Sequence, residues 1–333
     1  MKIAFFEIED WEKPFLEQKL AGHELVFYTH PLKIENMDQA KHADVVSLFI
    51  YSQITKEILD QLPDIKLFTT RSTGTDHIDL AGCKEKHIAV CNVPIYGTNT
   101  VAEHTFALLL AISRRLIPSV ERARRGDFSL DNLRGFDLYG KTLGVIGVGN
   151  IGKAVIRIAK GFDMWVLGYS RSQNAQTASE LGFQYVDLET LLRSSDIVSL
   201  HVPFNKETLH LINKQNISLF KPGSILINTA RGGIVETEAI LIGLERGILK
   251  AAGLDVLEEE CMVKEERQLL TEQFLKECDI KTQLLNHVLL TKEKVIITPH
   301  NAFNSAEALQ RILDVTVQNI QSFAQHSPKN VVR

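Results

Sequence analysis

The stretch Thr142-Leu143-Gly144-Val145-Ile146-Gly147-Val148-Gly149-Asn150-Ile151-Gly152 decides the fold of this 333-residue chain. Its first five residues have the apolar, β-branched character of a buried strand, and a helical pattern follows from Lys153. The glycines between them have the spacing G-x-G-x-x-G. Between a strand and a helix, that spacing is typical of a dinucleotide-binding βαβ unit. The alternative is an ordinary tight turn between a strand and a helix.

The residues of this glycine loop have separate predicted roles in cofactor binding. Gly147 allows the tight turn, Gly149 lets a pyrophosphate approach the backbone, and Gly152 lets the helix pack against the strand. Asn150 and Ile151 lie between Gly149 and Gly152, just before the helix, whose N-terminus offers free N–H groups and the positive end of the helix dipole to a phosphate. We therefore predict that these residues bind the phosphates of NAD or NADP.

The residues after the next predicted strand bear on the choice between NAD and NADP. An NAD-binding unit usually carries Asp or Glu there, which accepts hydrogen bonds from the ribose hydroxyls. In this chain Ser170 takes that place, so no carboxylate repels a 2′-phosphate, and Arg171 is able to pair with one. We expect use of NADP, or of both cofactors. Alternatively, Arg171 is a solvated surface charge and NAD binds through its other contacts.

Short apolar strands alternate with helices along most of the chain, which predicts an α/β fold with parallel sheets. The first set of predicted strands comprises residues 3–6, 25–28, 45–49 and 67–70. The second set comprises residues 142–146, 165–169, 197–201, 224–228, 251–255 and 295–298. A long helix separates the two sets, and Thr100 to Glu103 fits a capping box at its start. Residues 258–294 are interpreted as a solvated insertion with weak helical periodicity.

The composition excludes several classes of protein. Lys and Arg number 37 and Asp and Glu 41, so a net charge of −4 gives no reason to expect binding to nucleic acid or to an anionic membrane. An apolar fraction of 44% argues against bulk disorder. No apolar run has the length of a signal peptide or a membrane span. The four cysteines have neither disulfide-scaffold nor zinc-site spacing, so we predict no metal and a reducing, cytoplasmic location.

Three further segments follow predicted strands, at the edge where open α/β sheets bind ligands. They are INTARGG at 227–233, GLDVLEEE at 253–260 and TPHNAF at 298–303. Together with the glycine loop they resemble the D-isomer-specific 2-hydroxyacid dehydrogenases. The resemblance continues in order along nearly the whole chain, through RSTGTDHID at 71–79, NVPIY at 92–96, VAEH at 101–104 and DIVSLHVP at 196–203. The 92–96 segment and the insertion are most similar to the D-lactate dehydrogenase branch.

The resemblance implies a catalytic arginine, histidine and glutamate. Arg231 matches the arginine that binds the 2-oxo acid, and a guanidinium is suited to grip a carboxylate with paired N–H donors. His300 matches the general acid/base, a role that suits an imidazole because it exchanges a proton near neutral pH. Glu260, rather than Glu258 or Glu259, matches the carboxylate that orients this histidine.

The resemblance also assigns binding residues. Substrate binding is implied for Thr73, Gly74 and Tyr96, with a packed loop aromatic as the alternative for Tyr96. Cofactor contacts are implied for His201, Val202, Pro203, Thr229, Ala230 and Asp255, the last of which would accept from the nicotinamide amide. We interpret Glu103 and His104 of the long helix as structural or interdomain contacts.

The family layout implies two Rossmann/flavodoxin-like parallel-sheet lobes with an active-site cleft between them. Residues 1–98 and 304–333 would form the substrate-binding lobe, and residues 99–303 the dinucleotide-binding lobe. Family members usually dimerise through the cofactor lobe, so the resemblance implies a homodimer.

The implied activity is NAD(P)H-dependent reduction of a small 2-oxo acid to the D-2-hydroxy acid, with pyruvate as the first candidate. Lactate enzymes often carry a second aromatic residue where this chain has Asn304, which leaves the substrate side chain less determined than the reaction. Reductases of hydroxypyruvate or of branched-chain 2-oxo acids are alternatives in the same class. A nucleotide-sensing corepressor on the same fold is the alternative from a different class.

Overall fold

The computed structural model describes residues 1–258 and 279–332. The chain divides into two compact units, the first formed by Met1–Tyr96 with Asn304–Arg333 and the second by Gly97–Phe303. Each unit has its own sheet and its own hydrophobic core. The α/β class predicted from the alternation of strands and helices is confirmed.

The first unit contains a five-stranded sheet with the order β2-β1-β3-β4-β5. Its strands are β1 (Lys2–Phe5), β2 (Glu24–Phe27), β3 (Val45–Leu48), β4 (Leu67–Thr70) and β5 (Ala89–Cys91). Its helices are α1 (Lys13–Lys19), α2 (Lys56–Gln61), α3 (Leu80–Glu85) and α11 (Ala306–Ala324). All neighbouring strands are parallel. β3 and β4 are buried at every position, which matches their composition of apolar and small hydroxyl residues.

The second unit contains a seven-stranded sheet with the order β12-β11-β10-β9-β6-β7-β8. Its strands are β6 (Thr142–Ile146), β7 (Trp165–Tyr169), β8 (Gln184–Tyr185), β9 (Ile197–Leu200), β10 (Ser224–Asn228), β11 (Leu249–Leu254) and β12 (Val295–Ile297). All neighbouring pairs are parallel. Their carboxyl ends therefore lie along one edge, and the segments that carry the glycine loop, Arg231 and His300 all leave the sheet there.

The helices described in the second unit are α4 (Thr98–Ser113), α5 (Leu116–Arg124), α6 (Asn150–Gly161), α7 (Ala175–Leu181), α8 (Leu188–Ser194), α9 (Thr237–Glu245) and α10 (Ile280–Leu290). α4 and α6 share one hydrophobic core, in which Leu109 and Val155 are buried with Val145 of β6. Within the described ranges, no helix combines the length and apolarity that crossing a bilayer requires.

All predicted strands are present, with ends that differ from the predicted ends by no more than two residues. The sequence did not reveal β5 or β8, which have three and two residues and are too short to show a pattern. The predicted capping box is wrong, because α4 begins at Thr98 with Gly97 as its N-cap and Thr100 lies inside the first turn.

The expectation of a solvated insertion at 258–294 is wrong for its last part. Residues 280–290 form α10, and Leu289 of this helix is buried in the hydrophobic core of the second unit. Asn286 is also buried, and its Nδ2 donates to the carbonyl oxygen of Glu258 at 2.8 Å. The many charged residues nearby concealed this buried face. Residues 259–278 of the predicted insertion lie outside the described residues.

Candidate active site

The first turn of the glycine loop can be made only with glycine. Gly147 has φ +100°, a conformation that L side chains rarely adopt, and a Cβ atom there would lie 2.6 Å from the carbonyl group of His201. Its N–H donates to the carbonyl oxygen of Tyr169 at 2.8 Å. The loop is thus fixed between the carboxyl ends of β7 and β9, the two strands that flank β6.

The other two glycines of the loop differ in what surrounds them. A Cβ on Gly152 would lie 2.1 Å from the carbonyl oxygen of Gly147, so the start of α6 packs directly on the turn. A Cβ on Gly149 would meet no atom within 4 Å. Gly149 is the N-cap of α6, and the open space at its α-carbon leaves the backbone accessible to a bound group. A backbone accessible at a helix N-terminus fits the phosphates of a dinucleotide.

The loop after β7 carries Arg171, whose guanidinium group is paired with a carboxylate. Arg171 donates from Nη1 to Oε2 of Glu207 at 2.9 Å, and both side chains are largely exposed. Ser170 precedes this arginine at the predicted ribose position. Arg171 is therefore a largely solvated cation that is paired with a carboxylate from another loop.

His201 leaves β9 beside the glycine loop. Its N–H donates to the carbonyl oxygen of Ile146 at 2.7 Å, and its Nε2 lies 2.8 Å from Oγ of Ser199. Burial lowers the pKa of His201 to about 3, so this imidazole is neutral at physiological pH. Val202 and Pro203 follow in the same loop, and the amide nitrogen of Val202 faces Gly147.

The turn that carries Arg231 is held by Asn228, the last residue of β10. The Asn228 side chain accepts from the Ala230 N–H at 3.0 Å and donates to the Arg231 carbonyl oxygen at 2.9 Å. The hydroxyl of Thr229 lies 2.9 Å from that of Thr105 in α4. Nη1 of Arg231 donates to the carbonyl oxygen of Ala230 at 2.8 Å. No sequence motif had indicated that Thr105 supports this turn.

Gly232 brings the Arg231 turn against the segment that follows β11. A Cβ on Gly232 would lie 1.7 Å from the carbonyl oxygen of Leu257, which only glycine avoids. Glu258, the next residue, accepts from the Thr237 N–H at 2.8 Å and pairs with Nε2 of His210. The Glu258 carboxylate therefore fixes the start of α9. Glu260, the predicted catalytic carboxylate, lies outside the described residues.

Asp255 is a buried carboxylate that organises the histidine loop. It accepts from Oγ1 of Thr298 at 2.5 Å and from the N–H groups of Asn301 and Ala302 at 3.0 and 2.9 Å. Nε2 of His104 lies 3.4 Å from the same carboxylate. Burial alone would raise the pKa of Asp255, but the hydrogen bonds from His104, Thr298 and the two backbone N–H groups outweigh it and lower the pKa.

The backbone of His300 is held in an uncommon conformation. Its φ of +52° lies in the left-handed region, which a non-glycine residue adopts only where its surroundings enforce it. The His300 N–H donates to the Asp255 carbonyl oxygen at 2.9 Å, so both the backbone and the side chain of Asp255 bind this loop. His104 also supports this loop. Its Nε2 lies 3.0 Å from Oγ1 of Thr298, and its only sequence signal was the VAEH motif.

The predicted substrate residues lie in the first unit. Oγ1 of Thr73 donates to the Val93 carbonyl oxygen at 2.7 Å, and Asn92 donates to the Thr73 carbonyl oxygen at 2.8 Å. Gly74 follows in the same loop, and its carbonyl oxygen accepts from Oγ of Ser72 at 2.7 Å. These bonds join the loop after β4 to the segment after β5.

The second unit thus combines a dinucleotide-fitted glycine loop with arginine and histidine loops at the same sheet edge, an arrangement that defines a nucleotide-dependent oxidoreductase. Residues 106–302 match the family model described as D-isomer specific 2-hydroxyacid dehydrogenase, NAD binding domain. The chain belongs to this family, and it is an NAD-dependent D-2-hydroxyacid dehydrogenase.

Relatives extend the likeness to both units. The D-lactate dehydrogenase of Escherichia coli (strain K12) is 35% identical over 97% of this chain and 96% of its own length. A glyoxylate reductase of Thermococcus litoralis is 33% identical over 98% of this chain and 91% of its own length. The crystal structure of Aquifex aeolicus D-lactate dehydrogenase, complexed with NAD and lactic acid, has a TM-score of 0.85 at 37% identity and covers 98% of this chain and 96% of that chain. The resemblance inferred from the motifs is confirmed.

Proposed function

We propose that this dehydrogenase reduces pyruvate, or a closely similar 2-oxo acid, to the D-2-hydroxy acid and catalyses the reverse oxidation. The observation that carries the proposal is the arrangement around β11. Arg231 and His300 follow β10 and β12, the two neighbours of β11, and Asp255 at the end of β11 binds the histidine loop. The loops that carry the proposed carboxylate-binding cation and the proposed proton donor thus lie at one sheet edge, which supports the proposal.

The chain's own residues supply substrate orientation and proton transfer. NADH, when bound, supplies the hydride for the reduction. Arg231 binds the carboxylate of the 2-oxo acid and polarises its carbonyl group. His300 donates a proton to the carbonyl oxygen and accepts it back in the oxidation. We propose that the Glu260 carboxylate orients His300.

We further propose that Thr73, Gly74 and Tyr96 of the first unit bind the substrate carboxylate, and that the second unit binds the cofactor. The phosphates would contact the glycine loop and the start of α6, and the remaining cofactor contacts would come from Ser170, Arg171, His201, Val202, Pro203, Thr229, Ala230 and Asp255. NADPH is accepted alongside NADH, because no acidic residue stands at position 170.

The substrate itself is best resolved by a panel of 2-oxo acids. Relatives named D-lactate dehydrogenase and glyoxylate reductase make pyruvate and glyoxylate the first two to compare. Hydroxypyruvate and branched-chain 2-oxo acids follow, since the exposed Asn304 stands where lactate enzymes often carry an aromatic residue. Each acid is assayed with NADH and with NADPH, and the chirality of the product is determined. An L-product, or no turnover with intact NADH binding, would contradict the proposal, and the latter would favour a nucleotide sensor.

A paired substitution tests the proton donor. His300→Ala should lower kcat about 10²- to 10⁴-fold, the usual contribution of a general acid. His326→Ala is a matched control, because His326 is an exposed histidine that also has a positive φ, of +56°. It should leave kcat unchanged. A His300→Ala enzyme with normal kcat removes His300 from the mechanism.

We also propose that the protein is a homodimer that associates through the segment between α5 and β6. This segment exposes three large apolar side chains, Phe128, Leu130 and Tyr139, at 80%, 83% and 75%. Where such exposed apolar side chains form one patch, that patch is typical of a protein interface. Light scattering should give twice the chain mass, and Phe128→Ser with Leu130→Ser should give the monomer. Trp11→Ser, at an exposed aromatic residue of the first unit, should leave the dimer intact.

A further inference from the structure

We propose that Glu207 is a cofactor-specificity residue, whose carboxylate occupies Arg171 and disfavours a phosphate on the 2′-hydroxyl of the adenosine ribose. The proposal rests on the cofactor site described under the proposed function, and it adds a residue to which neither the motifs nor the family resemblance gave a role. It predicts that this enzyme uses NADH better than NADPH, although position 170 carries no acidic residue.

The fold brings the two charged residues together from different strands. Arg171 follows β7 and Glu207 lies in the loop after β9, and these strands are the two neighbours of β6. Both loops contact the glycine loop, since Gly147 binds the Tyr169 carbonyl oxygen and lies directly against His201. The ion pair therefore spans the end of β6, beside the loop that would hold the pyrophosphate.

The loop that carries Glu207 has a defined conformation. Oδ1 of Asn205 accepts from the N–H groups of Glu207 and Thr208 at 2.8 and 3.1 Å. Oγ1 of Thr208 donates to the Pro203 carbonyl oxygen at 2.7 Å. These bonds fix the backbone at Glu207, whose largely exposed side chain makes the 2.9 Å contact with Arg171. Lys206, in the same turn, is exposed.

The charges explain the direction of the preference. A 2′-phosphate carries between one and two negative charges near neutral pH, and Arg171 is the cation that directly follows the predicted ribose position in the chain. To use Arg171, the phosphate must compete with the Glu207 carboxylate and remain close to its negative charge. The unphosphorylated ribose of NADH meets no such competition, and its hydroxyls are able to donate to a carboxylate.

Four variants test the role of Glu207 in the full-length enzyme. Glu207→Gln removes the negative charge and should raise the ratio of kcat/KM with NADPH to kcat/KM with NADH about 5- to 30-fold. This is the effect expected from removing a charge that lies a few ångströms from the phosphate at the protein surface. Arg171→Gln should lower the same ratio, and Glu207→Gln should have little effect on it in the Arg171→Gln background. Glu189→Gln is the control, because Glu189 and Arg193 form an ion pair of the same 2.9 Å length in the same unit.

Two results would overturn the proposal. The first is a ratio of kcat/KM with NADPH to kcat/KM with NADH that changes less than twofold in Glu207→Gln. The second is a change in this ratio that is equally large in the wild-type and the Arg171→Gln backgrounds. The dissociation constants of NADH and NADPH, measured by fluorescence titration without substrate, give a second measure of the cofactor preference, one that does not depend on turnover. Failure of the substrate proposal therefore appears as absent turnover with intact binding. Failure of the Glu207 proposal appears as an unaltered binding ratio.

Discussion

The substitution Gly149→Ala tests whether glycine is required at this position for cofactor binding or for the stability of the fold. Gly149 has φ −80° and ψ −161°, a conformation open to alanine, and an added Cβ would meet no protein atom within 4 Å. Alanine is a poorer N-cap than glycine, but it reduces the entropy of the unfolded chain. These two effects oppose one another at about 1 kcal/mol or less each, so we expect little change in the free energy of unfolding.

The effect on cofactor binding should be much larger. If the pyrophosphate lies against the backbone of Gly149, the new methyl group occupies the space that the phosphates need. Adding such a group to a closely packed contact costs about 1–3 kcal/mol. At about 1.4 kcal/mol for each tenfold change, the dissociation constant of NADH should rise about 5- to 150-fold.

The measurement compares thermal unfolding without cofactor and NADH affinity by fluorescence titration. The control is Gly161→Ala at the end of α6, where an added Cβ also meets nothing within 4 Å. This control should bind NADH like the wild type. An unchanged NADH affinity in Gly149→Ala would refute the placement of the pyrophosphate. A clear loss of stability would show that the fold itself requires Gly149.

Three further predictions concern Asp255, His104 and the two buried cysteines of the first unit. Asp255→Asn leaves a buried N–H without its carboxylate partner and should cost about 1–3 kcal/mol in the free energy of unfolding, measured by urea denaturation. Folding lowers the pKa of Asp255. The ionised carboxylate therefore stabilises the folded protein fully above its pKa in the unfolded chain, about 3.9, and this stabilisation is lost as the pH falls through the pKa in the folded protein. The stability difference between wild type and variant should therefore shrink below about pH 4, and a constant difference would contradict this. His104→Leu should lower kcat more than His104→Gln, which retains a hydrogen-bonding group for Thr298; equal losses would exclude a positioning role. Burial raises the pKa of Cys83 and of Cys91 to about 11, so at pH 8 a thiol reagent should label neither in the folded protein, and mass spectrometry of labelled peptides decides this.

Much of the fold follows from local sequence, because a buried parallel strand is a short run of apolar residues wherever it occurs. β6 and β10 were evident for this reason. β8 has two residues and its place in the sheet depends on pairing with β7, so no local pattern marks it. α10 was concealed because its buried residues are few and its neighbours in the chain are charged.

The candidate site also contains parts that local sequence predicts and parts that it does not. The glycine loop was predicted from spacing, because the turn, the close approach and the helix start all act within a few residues. The pairing of Arg171 with Glu207 joins residues 36 positions apart, and that of His104 with Thr298 joins residues 194 apart. Sequence spacing carries no information on such contacts, which depend on the order of strands in the sheet.

The N-terminal half of α4 connects the two loops of the second unit that carry the proposed catalytic residues Arg231 and His300. His104 contacts Thr298 and Asp255, which hold the His300 loop, whereas Thr105 contacts Thr229 at the start of the Arg231 turn. Successive side chains on a helix point about 100° apart, so one turn of α4 reaches both loops. A displacement of α4 would therefore shift the proposed proton donor and the proposed substrate-binding arginine together. The relative placement of these two groups thus depends on a helix that itself contributes no proposed catalytic residue.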